Sequence, residues 1–323
     1  WSGQCAKCGQ VHSTHPLQTS RAQGAAGTQL GPRAQAFAVL LKNYYGLPLR
    51  SACAVLKQGF GLSLSSGGLT HLLDRVADKL QGKYDELIEK VRGSDAVYAD
   101  ETSWYVGGPG FWLWVFTTPT STVYRIANSR GHPVAAKVLG SDFAGVLITD
   151  CAPVYNKFPG PQHKCIAHHL QAIERQRKQP KMEDPRYLDA WEQLWKEVLE
   201  LTHARDQFAT EEFAARRTAI EARADALLVT VPKQLGDRKF HTRMTNARKH
   251  LFGCLYHDVD PTNNRAERAI RPAVVARKIS CGNKSERGSR TTEILTSLIV
   301  TAKQQARDFL ADRTWVMLRQ QVE

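Results

Sequence analysis

Acidic residues are the scarce class in this chain: 31 Asp and Glu face 44 Lys and Arg, a formal charge of +13 at neutral pH. That balance argues against a surface built for basic partners and favours a polyanion, nucleic acid first. Long apolar runs are missing too. No stretch approaches the ~18 residues of a membrane helix, and no succession of charged, apolar and small residues marks a secretory leader. A soluble, cytoplasmic protein without a membrane partner is expected. Cysteine is sparse: the seven are odd in number and, apart from Cys5 and Cys8, far apart. That excludes a disulfide framework and fits reduced thiols. The first residue is Trp1 rather than methionine, so upstream residues are expected. What is present is 42% hydrophobic and 23% charged residues, material for one large domain or two smaller ones.

Residues 13–36 are rich in Ser, Thr, Gln, Gly and Ala without an apolar period, which reads as a linker. From Ala34 the apolar residues Phe37, Leu40, Leu41, Tyr44 and Tyr45 recur at helical spacing until Gly46 and Pro48. Similar spacing over 49–58 and 69–91 predicts two more helices. Past Gly93, short β-branched and aromatic runs at 97–99, 111–116, 122–126 and 146–149 read as strands. Gly107 to Gly110 closes a hairpin between the first two, and His132–Leu139 forms a helix before the fourth. Beyond His168 the helical period returns through Trp191, Leu194, Trp195, Val198 and Leu201, with dense alternating charge. The expected class is α/β, a mixed sheet with flanking helices. Its expected units are a cysteine knuckle and linker over 1–33, a helical module and candidate DNA binder over 34–92, and a larger domain over 93–323 with a helical insertion near 180–235.

From 237 to 290 thirteen Lys or Arg stand against five acids, a net +8 in a sixth of the chain. A charge run is ordinarily a solvated helix face, but such faces interleave both signs and this one does not. Asp100 follows the first strand and Asp150 the fourth, so both stand where a strand gives way to a turn, a common place for sites in sheet proteins. On neighbouring strands they would offer hard oxygen ligands for Mg²⁺ or Mn²⁺, and a third acid would complete a two-metal site. The plainer use of such an Asp is to bond its own turn. Glu267 is the obvious third acid, although Asn264 followed three residues later by Glu267 also fits a capping box. Arg265, Arg268, Arg271, Arg277 and Lys278 surround it with groups suited to phosphates.

Asp100-Glu101-Thr102 with Trp112-Leu113-Trp114-Val115, then Thr149-Asp150-Cys151-Ala152-Pro153-Val154-Tyr155, then Cys165-Ile166-Ala167-His168, resemble the insertion sequence 66 family of bacterial transposases. So do Asn263-Asn264-Arg265-Ala266-Glu267-Arg268, Arg271-Pro272, Arg277-Lys278 and the helix over 297–302. The resemblance implies a ribonuclease-H-like fold and an Asp, Asp, Glu triad carried onto Asp100, Asp150 and Glu267, holding two Mg²⁺ or Mn²⁺ ions. It implies an enzyme that cuts transposon ends and joins the DNA 3′-hydroxyl to target DNA without a covalent enzyme intermediate. It also implies a homo-oligomer on DNA, accessory proteins of the same element, and a nucleoid-associated place in a bacterial cytoplasm. A catalytically silent DNA-binding derivative and a metal-dependent nuclease share the basic segment; three intact acids favour the transposase.

Cys165 and His168 share a helix face, and they read as packing, as support for substrate or metal near Asp150, or as ligands. Two ligands alone do not make a zinc site. Cys5 and Cys8 resemble one half of the family's N-terminal zinc module, whose partner half would lie upstream; His12 and His15 are spaced too tightly to replace it. Glu101 faces the side of the sheet opposite Asp100, for a surface or supporting role. Trp112 and Trp114 share a face, where core packing outweighs base stacking.

Overall fold

A computed structural model describes residues 30–179 and 184–310, with the short segments 2–4, 6 and 11–13. Strand β1 (Ser2–Gln4) pairs antiparallel with β2 (Val11–Ser13). Cys5, Cys8, His15 and most of the expected linker lie outside the described residues.

Helix α1 (Pro32–Asn43) opens on a proline, whose fixed φ suits the first turn and whose missing N–H is not needed there. Helix α2 (Leu49–Phe60) stops at Gly61, and α3 (Ser66–Arg92) starts where Ser65 Oγ accepts from the Gly68 N–H at 3.0 Å. Next come β3 (Ala96–Trp104), β4 (Phe111–Thr117), β5 (Thr122–Ala127), α4 (His132–Leu139), β6 (Val146–Thr149) and β7 (Gln162–Lys164). The sheet order is β5-β4-β3-β6-β7, antiparallel across β5, β4 and β3 and parallel across β3, β6 and β7. Among the described residues seven α-helices follow: α5 (Ile166–Arg177), α6 (Arg186–His203), α7 (Thr210–Val229), α8 (Leu235–Ala247), α9 (Gly253–Tyr256), α10 (Asn264–Ser280) and α11 (Glu286–Gln304). A five-stranded mixed sheet with flanking helices is compatible with a ribonuclease-H-like fold.

The two sheet faces carry two cores. Val97, Ala99, Trp114, Phe116 and Val123 pack with α1, α2, α3, α4 and α11. Tyr98, Leu113, Val115, Tyr124 and Ile148 pack with α5 to α10. The alternation along each strand sends successive side chains to opposite layers. The helices over 34–92 therefore share a core with one sheet face.

Two expectations need correcting. The first strand does not end at Ala99: its antiparallel partner β4 keeps it extended to Trp104, so Asp100 lies within β3. And β7 was not expected, because Gln162-His163-Lys164 has no apolar or β-branched residue to announce it.

Both sheet edges are covered. On the outer side of β5, the N–H groups of Thr122, Tyr124 and Ile126 donate to Thr301 Oγ1 (2.9 Å), Ser297 Oγ (2.8 Å) and Glu293 Oε1 (2.6 Å), one stripe of α11. At the other edge α9 meets β7 so closely that a Cβ on Gly253 would stand 2.3 Å from the Gln162 carbonyl oxygen.

Candidate active site and nucleic-acid face

The register of β3 on β6 pairs Tyr98 with Ile148; continued two residues, it sets Asp100 level with Asp150 just past the end of β6. Asp100 thus stands where β3 loses its parallel neighbour but keeps its antiparallel one. Its side chain shares the sheet face of Tyr98, the face on which α10 packs. Burial raises its pKa to about 7, with the charges of Glu101, Asp150 and Glu267 adding to the rise against a bond from the Glu101 N–H. Asp150 and Glu267 therefore both lie within electrostatic reach of Asp100, while among the described residues the acids that share ligand spacing with other donors do not include Asp100 or Asp150. Each Asp also makes the plainer contact: Asp100 Oδ1 accepts from the Glu101 N–H and Asp150 Oδ1 from the Ala152 N–H, both at 2.8 Å.

The capping box does not form. Helix α10 begins at Asn264, and Asn263 is the residue before it, with no side-chain cap. Asn263 is buried and sends its amide to the Ala99 carbonyl (2.8 Å), tying the start of α10 to β3 beside Asp100. Glu267, freed from capping, points at α5. Its Oε1 lies 3.7 Å from His168 Nδ1, and the ligand atoms of Cys165, His168 and Glu267 all lie within 4.8 Å of one another. Among the described residues neither Glu267 Oε1 nor His168 Nδ1 has a hydrogen-bond partner. Cys165 Sγ accepts from the Asn263 N–H at 3.1 Å.

Three supporting residues, Tyr155, Arg130 and Lys164, escape a reading of the sequence, and a fourth, Glu101, takes the supporting role expected of it. Glu101, expected at a surface or in support, is buried; it accepts from the Tyr155 hydroxyl and pairs with Arg130 at 2.8 Å. Arg130 in turn lies over the Trp112 ring, 4.6 Å from its centroid. Lys164 is 1% exposed, with Nζ donating to Thr149 Oγ1 (3.1 Å) and Gln162 Oε1 (3.2 Å); burial lowers its pKa to about 8 while Asp150 pulls it back up. Glu101 and Tyr155 lie inside recognisable blocks, but nothing in the sequence marks Lys164 or Arg130. Trp114 is fully buried between Phe116 and Tyr155, as the packing reading expects, and His169 stacks on Trp195, away from Glu267.

Along α10 the expected cations divide. Arg268, Arg271 and Lys278 are exposed, as are the apolar residues Val275 and Ile279 of the same helix. Arg265 lies over the Tyr98 ring at 5.4 Å. Arg277 is turned inward: its guanidinium donates to Thr102 Oγ1 (3.1 Å) and Ser103 Oγ (2.8 Å), clamping α10 to β3. That use sets it apart from the exposed three. Among the described residues no helix is long and apolar enough to cross a membrane.

A family model described as Transposase IS66 family matches residues 27–291. An uncharacterized protein, y4qI, of Sinorhizobium fredii (strain NBRC 101917 / NGR234) is 25% identical over 318 residues, covering 84% of this chain. The chain spans 56% of the length of that curated relative.

Proposed function

This chain belongs to the IS66 transposase family, and on that premise we propose that it is a DNA transposase that cuts transposon ends and joins their 3′-hydroxyls to target DNA, with Asp100, Asp150 and Glu267 as its catalytic acids. The observation that carries the reading is geometric: the register of β3 on β6 sets Asp100 level with Asp150, and α10, packed on the same sheet face, brings Glu267 into electrostatic range of Asp100. A largely buried carboxyl with two further acids in range suits a divalent cation, and all-oxygen donors suit Mg²⁺ or Mn²⁺. When bound, such ions supply a lowered pKa for the attacking hydroxyl and neutralise charge developing at phosphorus.

The chain's own residues supply the rest. Asp100 and Asp150 hold their orientation through the backbone bonds on Oδ1, and Asn263 fixes the helix that brings Glu267. Lys164 offsets negative charge behind Asp150. Arg268, Arg271 and Lys278 hold phosphates of the DNA backbone, with Arg265 nearer the acids. The region over 93–323 serves as the ribonuclease-H-like catalytic domain with a helical insertion near 180–235, where α6 and α7 lie, and the helices over 34–92 contribute to DNA binding. The protein works as a homo-oligomer on DNA in the bacterial cytoplasm, with accessory proteins of its element.

The test is cleavage and joining of end DNA from the parent element in Mg²⁺ or Mn²⁺. Asp100→Asn and Asp150→Asn should each abolish both products while DNA affinity stays within about twofold. Either variant cutting near the wild-type rate removes that residue from the site. Cleavage without joined products favours a nuclease, and binding without cleavage favours a silent derivative.

A further inference from the structure

We propose that Cys165, His168 and Glu267 form a second metal site, one for a thiophilic divalent cation of the zinc class, distinct in chemistry from the hard-oxygen set of Asp100 and Asp150. The donors come from two elements that meet only in the folded chain: Cys165 at the start of α5, His168 one turn into it, and Glu267 in the first turn of α10. Zinc bonds of ~2.0–2.3 Å place tetrahedral ligand atoms roughly 3.3–3.8 Å apart. The 3.7 Å between His168 Nδ1 and Glu267 Oε1 is too long for a hydrogen bond but suits one edge of such a tetrahedron, and the whole set lies within 4.8 Å.

Three further observations bear on it. His168 Nδ1 and Glu267 Oε1 are both shielded from solvent and, among the described residues, neither has a hydrogen-bond partner, a costly state for polar atoms; a cation between them satisfies both. The Asn263 N–H aimed at Cys165 Sγ is the kind of donor that supports a metal-bound thiolate, and the N-terminus of α5 favours negative charge at the same sulfur. The His168 and Glu267 side chains keep 28% and 33% exposure, and His168 lines a cleft of about 450 Å³ with Asp150, Arg175 and Arg243. That leaves an entry path and room for a fourth ligand. A thiolate, an imidazole and a single carboxylate form a borderline-soft set, which Zn²⁺ and Co²⁺ prefer and Mg²⁺ does not.

The consequence is competition for one side chain. With a soft cation seated on Cys165 and His168, Glu267 is withdrawn from Asp100 and Asp150, so zinc holds the enzyme off. This consequence rests on the triad reading, whereas the site itself does not.

Co²⁺ titration of the full chain carrying Cys5→Ser and Cys8→Ser, which removes the other cysteine pair, tests the site by absorption. The expected result is a near-ultraviolet sulfur-to-cobalt charge-transfer band that Zn²⁺ abolishes and excess Mg²⁺ leaves in place. Cys165→Ser should remove the band, and His168→Ala and Glu267→Gln should each weaken Co²⁺ binding at least ~tenfold. Should Cys165→Ser fail to fold, the partly exposed His168 and Glu267 decide the matter, with circular dichroism confirming their folds. No band, a band removed by Mg²⁺, or unchanged affinity in both His168→Ala and Glu267→Gln overturns the proposal. These readouts need no DNA, so their failure is separable from that of the transposase reading, which the cleavage assay tests.

Discussion

Asp100 is a carboxyl group that folding makes harder to ionise, and that fact has a thermodynamic sign. Its folded pKa of about 7 lies above the ordinary aspartate value of 3.8, so it contributes stability that is fully present below about pH 4 and lost as the pH rises to about 7. Three pKa units correspond to about 4 kcal/mol at most. In metal-free protein at pH 8, Asp100→Asn should therefore raise the melting temperature and flatten its dependence on pH between 4 and 8. Mg²⁺ or Mn²⁺ should raise the wild-type melting temperature more than that of the variant. Calorimetry across pH with and without the ion checks both, and equal pH profiles would remove the strain inferred at this carboxyl. Glu267 is separable from its neighbours in the same way. Glu267→Gln should abolish cleavage without lowering the melting temperature. Asn264→Ala should change stability by less than about 0.5 kcal/mol, because Asn264 caps nothing, while Asn263→Ala should cost about 1–3 kcal/mol by orphaning the Ala99 carbonyl. At this scale the sequence announced the acids through residue type and local motif. It did not announce Lys164 or the burial of Glu101, because whether a charged side chain is buried depends on partners such as Thr149, Tyr155 and Arg130 that are distant in the chain.

Edge strands are where an element's neighbours matter most, and β5 depends on α11 for its outer row of hydrogen bonds. Glu293, Ser297 and Thr301 recur at four-residue spacing and answer N–H groups two residues apart on the strand, a match of helical rise to strand rise. Burial raises the pKa of Glu293 to about 7, against the pull of Arg125 and the Ile126 N–H. Ser297→Ala with Thr301→Ala should cost roughly 2–6 kcal/mol through two orphaned backbone donors, and should increase aggregation on mild heating by baring the edge. Chemical denaturation and light scattering read the two effects, and a double variant as stable and soluble as wild type would show that the edge needs no cover. Elements with strong periodicity were legible: α4 was expected at its observed bounds, and β4, β5 and β6 stand where apolar and β-branched runs lie. Weakly marked elements were not. The extension of β3 through Asp100 comes from its pairing with β4, and β7 exists because β6 and α9 flank it.

Over the whole molecule the excess positive charge is concentrated late in the chain, and α10 places part of it on an exposed surface next to the acids. DNA binding should weaken steeply with salt. Arg268→Ala, Arg271→Ala and Lys278→Ala should each lower the slope of log affinity against log salt by roughly 0.9, with similar losses on any sequence. Arg277→Ala should instead lower the melting temperature and leave the slope alone, since its guanidinium is spent on Thr102 and Ser103. Binding isotherms over a salt series separate the two behaviours, and unchanged slopes in all three exposed variants would move the phosphate contacts elsewhere. The cover on β5 has a further consequence, in time rather than space. The strand leaves the ribosome well over a hundred residues before α11, which at ~5–20 residues per second leaves its outer edge bare for roughly ten seconds or more of every synthesis. Newly made chains on one polysome are thus exposed to pairing with one another through that strand until α11 emerges and closes it.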